Sequence, residues 1–170
     1  MKFIVENSES RIMTKYVKFI MEYTLLITMP EVLKSPEHSV KLVFVDEIES
    51  KIYAETSWDD NNYDPKKCKI YITYIKNKKI LTQTIIHEMV HVKQFFKKEL
   101  MDLDENSQFI WNNNLYNIDK DEYWLLPWEI EANGYEISIF NMLRKDYNLN
   151  LSVFKLDYPE IYANITKVAV

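Results

Sequence analysis

The residues best suited to chemistry in this chain are His87, Glu88 and His91, which stand in the order His-Glu-x-x-His. In a helix, residues four apart lie on one face with about 5–6 Å between their Cβ atoms, so the two imidazoles can bind one metal ion. For Zn²⁺, such a site lowers the pKa of a water to about 7 and polarises a substrate carbonyl. Glu88 is then placed to take the proton of that water and to pass it to a leaving amine.

A buried helix must carry this pattern. Apolar residues recur at helical spacing on both sides of the motif and cover most of the circumference: Ile80, Leu81, Ile85, Ile86, Met89, Val90, Val92, Phe95 and Phe96. A helix that is apolar nearly all round is a central core helix, where unpaired polar groups are costly. Histidines that only form hydrogen bonds are the alternative, but a metal ion would partner both imidazoles at once. The predicted N-cap is Asn77 or Thr82, and the predicted end is near Lys98.

A catalytic zinc usually takes three protein ligands and keeps a fourth position open. The metzincin continuation would need Gly at position 94 and His at position 97, but this chain has Gln94 and Lys97. The remaining histidine, His38, is predicted to be a surface residue in a loop. We therefore expect a carboxylate further along the chain to be the third ligand.

The start of the last predicted helix offers two such carboxylates. One face of this helix carries Glu129, Ala132, Asn133 and Glu136. Glu131 points about 160° away from Glu129 at 100° per residue, so the two cannot both be ligands from a regular helix. We predict that Glu129 is the third ligand, with Glu131 as the alternative. Asn133 is predicted to hydrogen-bond the outer nitrogen of a ligand histidine.

Other elements must frame these two helices. An apolar stripe from Ile12 to Ile27, capped by Ser8 or Ser10, predicts an N-terminal helix. Strand patterns follow at 40–45, 52–58 and 69–75, and we expect them to form one small, three-stranded, mainly antiparallel sheet. Between the motif helix and the last helix (128 to about 147), the asparagines at 112–114 predict the turn of an inserted β-hairpin.

Composition narrows the class of protein. The 170 residues fit a single domain, 1–170, and the net charge of −5 does not favour a nucleic-acid partner. Cys68 is the only cysteine, which excludes an internal disulfide and predicts a half-buried strand thiol in a reducing compartment. A single glycine excludes glycine-rich phosphate loops, and no apolar run reaches the length of a membrane span. We expect a cytoplasmic protein; the sequence does not indicate its oligomeric state.

The two motifs, His87-Glu88-x-x-His91 and Glu129-x-x-Ala132-Asn133, resemble those of the gluzincin-type HExxH zinc metallopeptidases. The resemblance is greatest to the small ImmA/IrrE-like and phage-borne minimal zincins. It implies a zincin-like α+β fold, with a helix, a small sheet, the motif helix and a ligand helix in that order. It also implies a zinc cofactor and hydrolysis of peptide or protein substrates. The segment between His91 and Glu129 is longer than in minimal versions, and the hairpin fills it.

Two further functions are alternatives to a metallopeptidase. A zinc-stabilised binding or regulatory module without significant peptidase activity would not need Glu88, and closure of the metal shell by His38 or Glu131 would favour it. A chromatin-associated protease like the SprT-like proteins is disfavoured by the acidic charge and by the lack of a zinc ribbon. For a peptidase, Tyr123 and Tyr135 are candidate donors to the oxyanion.

Overall fold

The computed structural model describes residues 1–48, 52–60, 63–103, 108–118 and 120–147. Residues 148–170 of the predicted domain lie outside the described residues. The described part is a mixed α+β structure, as predicted. Its elements in chain order are β1 (Lys2–Glu6), α1 (Arg11–Thr28), β2 (Ser39–Val45), β3 (Ala54–Trp58), β4 (Lys67–Thr73), α2 (Lys78–Phe96), β5 (Leu100–Asp102), β6 (Gln108–Trp111), β7 (Asn114–Asn117) and α3 (Pro127–Tyr147).

The three predicted helices are confirmed, and the first two have the predicted caps. The Ser10 hydroxyl accepts a hydrogen bond from the backbone N–H of Met13 at the start of α1. The Asn77 side chain accepts from the first free N–H groups of α2. These side chains satisfy backbone donors that a helix start leaves unpaired. None of the helices in the described part of the chain combines the length and the apolar composition needed to cross a membrane.

The first sheet differs from the predicted three-stranded, mainly antiparallel arrangement. It has four strands in the order β1-β2-β4-β3, and β2 pairs in parallel with both β1 and β4. Only β3 and β4 are antiparallel. Helix α1 provides the crossover that a parallel β1–β2 pair requires. The chain then passes from β2 to the edge strand β3 and returns to place β4 between them, so strands that are consecutive in sequence are not all neighbours.

One face of this sheet packs on α1 and α2. Alternate residues of the central strands are buried there: Val40, Leu42, Phe44, Cys68, Ile70 and Ile72. Cys68, predicted to be half-buried, is only 1% exposed. Helix α2 contacts α1, α3 and the edge strand β3. The motif helix is therefore central, and its His87, Glu88 and His91 side chains face the gap between β3 and α3.

The second sheet contains the predicted hairpin and one strand that was not predicted. Strands β5, β6 and β7 are antiparallel in that order. Asn112 and Asn113 both have positive φ, as a two-residue type I′ turn requires. Trp128, in the first turn of α3, packs against three aromatic rings of this sheet, Phe109, Trp111 and Tyr116, at centroid distances of 5.3 to 6.3 Å. The second sheet thus supports the start of α3.

Candidate metal centre

Helices α2 and α3 bring together the three predicted ligands, His87, His91 and Glu129, here called the His-His-Glu group. One potential ligand atom from each residue lies within 4.8 Å of the others. The two Nε2 atoms are 3.2 Å apart. The Glu129 carboxylate lies 3.3 Å from His87 Nε2 and 3.4 Å from His91 Nε2. Three donors that converge in this way suit a single metal ion.

The electrostatics of the His-His-Glu group favour a charged carboxylate. Burial raises the pKa of Glu129, which is 1% exposed. The hydrogen bond from His87, the charge of His91 and the hydrogen bond from Tyr123 outweigh burial, so the pKa of Glu129 lies below its ordinary value. Glu129 is therefore ionised at neutral pH, as a metal ligand must be.

The pKa of His87 is shifted in the opposite direction to that of Glu129, above its ordinary value. Burial lowers the pKa of His87, but its hydrogen bonds with Glu129 and Glu136 outweigh this effect and raise the pKa to about 10. Without a metal ion, His87 is thus protonated at neutral pH and pairs with both carboxylates. A metal ion would have to replace this proton.

Both histidines are also held at Nδ1, the nitrogen that faces away from the group. His91 Nδ1 lies 2.8 Å from Gln94 Oε1. His87 Nδ1 lies 3.4 Å from the Glu136 carboxylate, whose other oxygen accepts a hydrogen bond from Gln83. Such partners fix the ring orientation of metal-binding histidines.

The prediction that Asn133 would hold a histidine is therefore wrong, because other side chains occupy both Nδ1 positions. Asn133 lines the adjacent cleft instead. Sequence spacing could have identified Gln94, which lies three residues after His91 and so on nearly the same helical face. The other two partners of Gln94, Trp128 and Glu131, belong to α3, so their contacts with Gln94 depend on how α3 packs.

Glu131, the alternative ligand, faces away from the group as the helical geometry predicted. Its carboxylate accepts hydrogen bonds from Lys93 Nζ at 2.8 Å and from Gln94 Nε2 at 2.9 Å. Lys93 is a charged residue near the end of α2, but its side chain is only 4% exposed. It also contacts Glu99 Oε2 at 2.6 Å, so this buried cation lies between two acids.

His38 was predicted to be a surface residue, and this prediction is wrong. It is 7% exposed, with Nδ1 2.7 Å from the Ser35 hydroxyl. Its ring meets the Phe96 ring edge-on at a centroid distance of 4.7 Å, so the end of α2 covers it. Among the described residues, the group that could hold a metal ion does not include His38.

Glu88 stands beside the His-His-Glu group without belonging to it. It is 6% exposed, and the hydroxyl of Thr56 on the edge strand β3 donates to its Oε2 at 2.6 Å. A carboxylate has acceptor capacity beyond this single hydrogen bond. Glu88 therefore lies at a fixed position beside the candidate metal centre, where its carboxylate could serve as a base.

A cleft of about 830 Å³ opens onto these residues between β3, α2, the second sheet and the start of α3. Its apolar walls are formed by Ile52, Trp58, Phe95, Leu100, Phe109, Trp124 and Trp128. Tyr123 lines the cleft, and burial, the charge of Glu129 and their hydrogen bond raise the tyrosine pKa, which keeps it a donor. Tyr135 lies elsewhere, with its ring 5.7 Å from Lys93 Nζ.

This combination of groups is capable of hydrolytic chemistry. Two imidazoles and an ionised carboxylate can bind a metal ion, a carboxylate base is adjacent, and a cleft can admit a substrate. No protein-family model, curated protein or solved structure matches this chain.

Proposed function

We propose that this protein is a zinc-dependent metallopeptidase, in which His87, His91 and Glu129 hold the ion and Glu88 is the general base. The convergence of these three donors from two helices is the observation that carries the proposal. Two imidazoles and one carboxylate are a donor set that catalytic zinc uses in proteins. The bound ion would lower the pKa of a water and polarise a carbonyl.

The donor count also supports an enzyme over a binding module. Of the two residues that could have closed the metal shell, His38 lies against Phe96 and Glu131 is held by Lys93 and Gln94. Three protein ligands leave a coordination position open, which a structural site does not need. We also propose a zincin-like fold, and the packing of α2 between the first sheet and α3 supports it.

The protein's own groups would carry the proton transfers. Glu88 accepts a proton from the attacking water and returns it to the leaving amine. The Thr56 hydroxyl holds one oxygen of this carboxylate at 2.6 Å and so limits its rotation. The Tyr123 hydroxyl, which hydrogen-bonds Glu129, lines the cleft and is our candidate donor to a developing oxyanion.

The edge strand β3 supports an extended peptide as substrate. It ends the order β1-β2-β4-β3, and residues 52–58 line the cleft beside Glu88. A peptide could add to this edge through main-chain hydrogen bonds, with its side chains in neighbouring pockets. Because the cleft walls are largely apolar and no Lys or Arg is among the described lining residues, we expect large apolar side chains to be preferred near the cleaved bond.

Metal analysis and one isosteric variant test the proposal. Protein purified without added metal should contain about one zinc per chain, and Glu129→Ala should lose most of it, whereas Glu9→Gln at an exposed site should not. Glu88→Gln should retain zinc but lose hydrolysis of an unstructured protein such as casein. Full turnover by Glu88→Gln would refute the mechanism, and a wild-type protein unable to bind zinc would refute the metal site.

A further inference from the structure

Gln94 connects two of the three proposed metal ligands through one side-chain amide. Its Oε1 is 2.8 Å from His91 Nδ1. Its Nε2 donates to the backbone carbonyl of Trp128 at 3.0 Å and to Glu131 Oε2 at 2.9 Å. Trp128 and Glu131 flank Glu129 in the first turn of α3. The amide therefore contacts His91 on one side and the turn that carries Glu129 on the other.

The partners of Gln94 determine which way its amide points. An amide has a donor end and an acceptor end, and both protons of Nε2 are taken by the carbonyl of Trp128 and the carboxylate of Glu131. The oxygen must then face His91, so His91 Nδ1 carries the proton and its Nε2 keeps a lone pair toward the metal. Gln94 is 0% exposed, so water does not compete for these hydrogen bonds.

The neighbouring Lys93 holds the carboxylate of Glu131, which in turn accepts a hydrogen bond from Gln94. Its ammonium group, on a side chain that is 4% exposed, lies 2.8 Å from Glu131 Oε1 and 2.6 Å from Glu99 Oε2. Glu131 thus receives one hydrogen bond on each carboxylate oxygen, from Lys93 and from Gln94. The contacts run without a break from the buried cation through Glu131 and Gln94 to His91.

We propose that Gln94 is a positioning residue that sets the tautomer of His91 and at the same time docks the turn bearing Glu129, with Lys93 and Glu131 as its anchor. This inference rests on the zinc site of the proposed function but does not require peptidase activity. A purely structural glutamine would affect stability alone. A positioning residue also affects zinc affinity and the ring nitrogen through which His91 binds.

The test compares Gln94→Met, which keeps the length of the side chain but removes its hydrogen bonds, with Gln108→Met as a matched control in β6. Zinc affinity is measured by competition with a chromophoric chelator. We expect Gln94→Met to bind zinc about 10–100-fold more weakly, as is typical when the partner of a ligand histidine is lost. Gln108→Met should match the wild type. Affinity of Gln94→Met within twofold of the wild type would overturn the inference.

Ring ¹⁵N chemical shifts give the second readout, and they are simple to assign because the chain has three histidines. In the zinc-loaded wild type, His91 should bind through Nε2, with a slowly exchanging proton on Nδ1. In Gln94→Met that proton should exchange faster or the ring should show mixed tautomers. An unchanged His91 spectrum would overturn the inference.

A second variant keeps the test valid if Gln94→Met does not fold. The Glu131 side chain is 28% exposed, so Glu131→Ala removes an acceptor of Gln94 without a large buried cavity. We expect a severalfold loss of zinc affinity and faster exchange at His91 Nδ1; no change in either would overturn the inference. If the wild type binds no zinc, the proposed function fails too, whereas equal binding by the wild type and these variants refutes only the role of Gln94.

Discussion

Replacement of Trp128 by alanine removes the aromatic anchor between the start of α3 and the second sheet. Trp128 is 2% exposed and contacts three aromatic rings. Truncation of a buried tryptophan typically costs about 3–5 kcal/mol, and the ring contacts favour the upper part of that range. For a chain of this size, 1 kcal/mol shifts Tm by about 2–4 °C, so Tm should fall by about 10 °C or more.

Trp124 provides a matched control four residues away. It is 63% exposed, so Trp124→Ala should change the free energy of unfolding by no more than about 0.5 kcal/mol. Urea unfolding of both variants in the presence of a chelator measures this difference without a contribution from metal. Trp128→Ala should in addition weaken zinc binding, because Glu129 is the next residue. A cost below about 1 kcal/mol for Trp128→Ala, or equal costs for both variants, would refute the anchoring role.

Four further predictions concern other parts of the chain. Because the pKa of His87 is raised from 6.5 to about 10, its contribution to the stability of the metal-free protein is complete below pH 6.5 and lost as pH rises through about 10. The urea concentration at the midpoint of unfolding, measured in the presence of a chelator, should fall over that pH range. The fall should be smaller in His87→Ala. Burial raises the pKa of the Cys68 thiol, so a thiol reagent should label it at least about a hundredfold more slowly in the native protein than in urea; fast native labelling would contradict its burial. A Cβ on Gly134, in α3, would meet no atom within 4 Å, so Gly134→Ala should stabilise the protein by about 0.5–1 kcal/mol, and a loss of stability would contradict this. Thr56→Val should keep zinc but reduce peptide hydrolysis roughly ten- to a hundredfold, with Thr56→Ser restoring it; undiminished hydrolysis by the valine variant would exclude a role in holding Glu88.

Local patterns predicted the helices, and they also predicted which three side chains the structure brings together in the His-His-Glu group. The caps at Ser10 and Asn77 and the periodicity of α1 and α2 depend on residues within a few positions of one another. The separation of Glu129 from Glu131 follows from helical geometry alone, and the structure places only Glu129 in the His-His-Glu group. For such features the sequence contains all the necessary information.

Features that depend on contacts between distant segments could not be predicted in the same way. The parallel pairing of β1 with β2 depends on how α1 packs back on the sheet. The burial of Lys93 and His38 arises because α3, Glu99 and Phe96 cover them. Two of the three partners of Gln94, Trp128 and Glu131, lie in a helix more than thirty residues away. Local patterns did not reveal these features because each depends on at least one contact with a segment that is distant in sequence.

The edge position of β3 has a consequence for self-association. An unpaired sheet edge is a template not only for a peptide but also for the edge strand of another copy, and this is a common route to aggregation. Strand β3 is only five residues long, and Glu55 near its centre is exposed. In antiparallel registers that bring two Glu55 side chains opposite each other, their like charges would repel. The same edge can therefore remain open to an uncharged peptide while it resists pairing with itself.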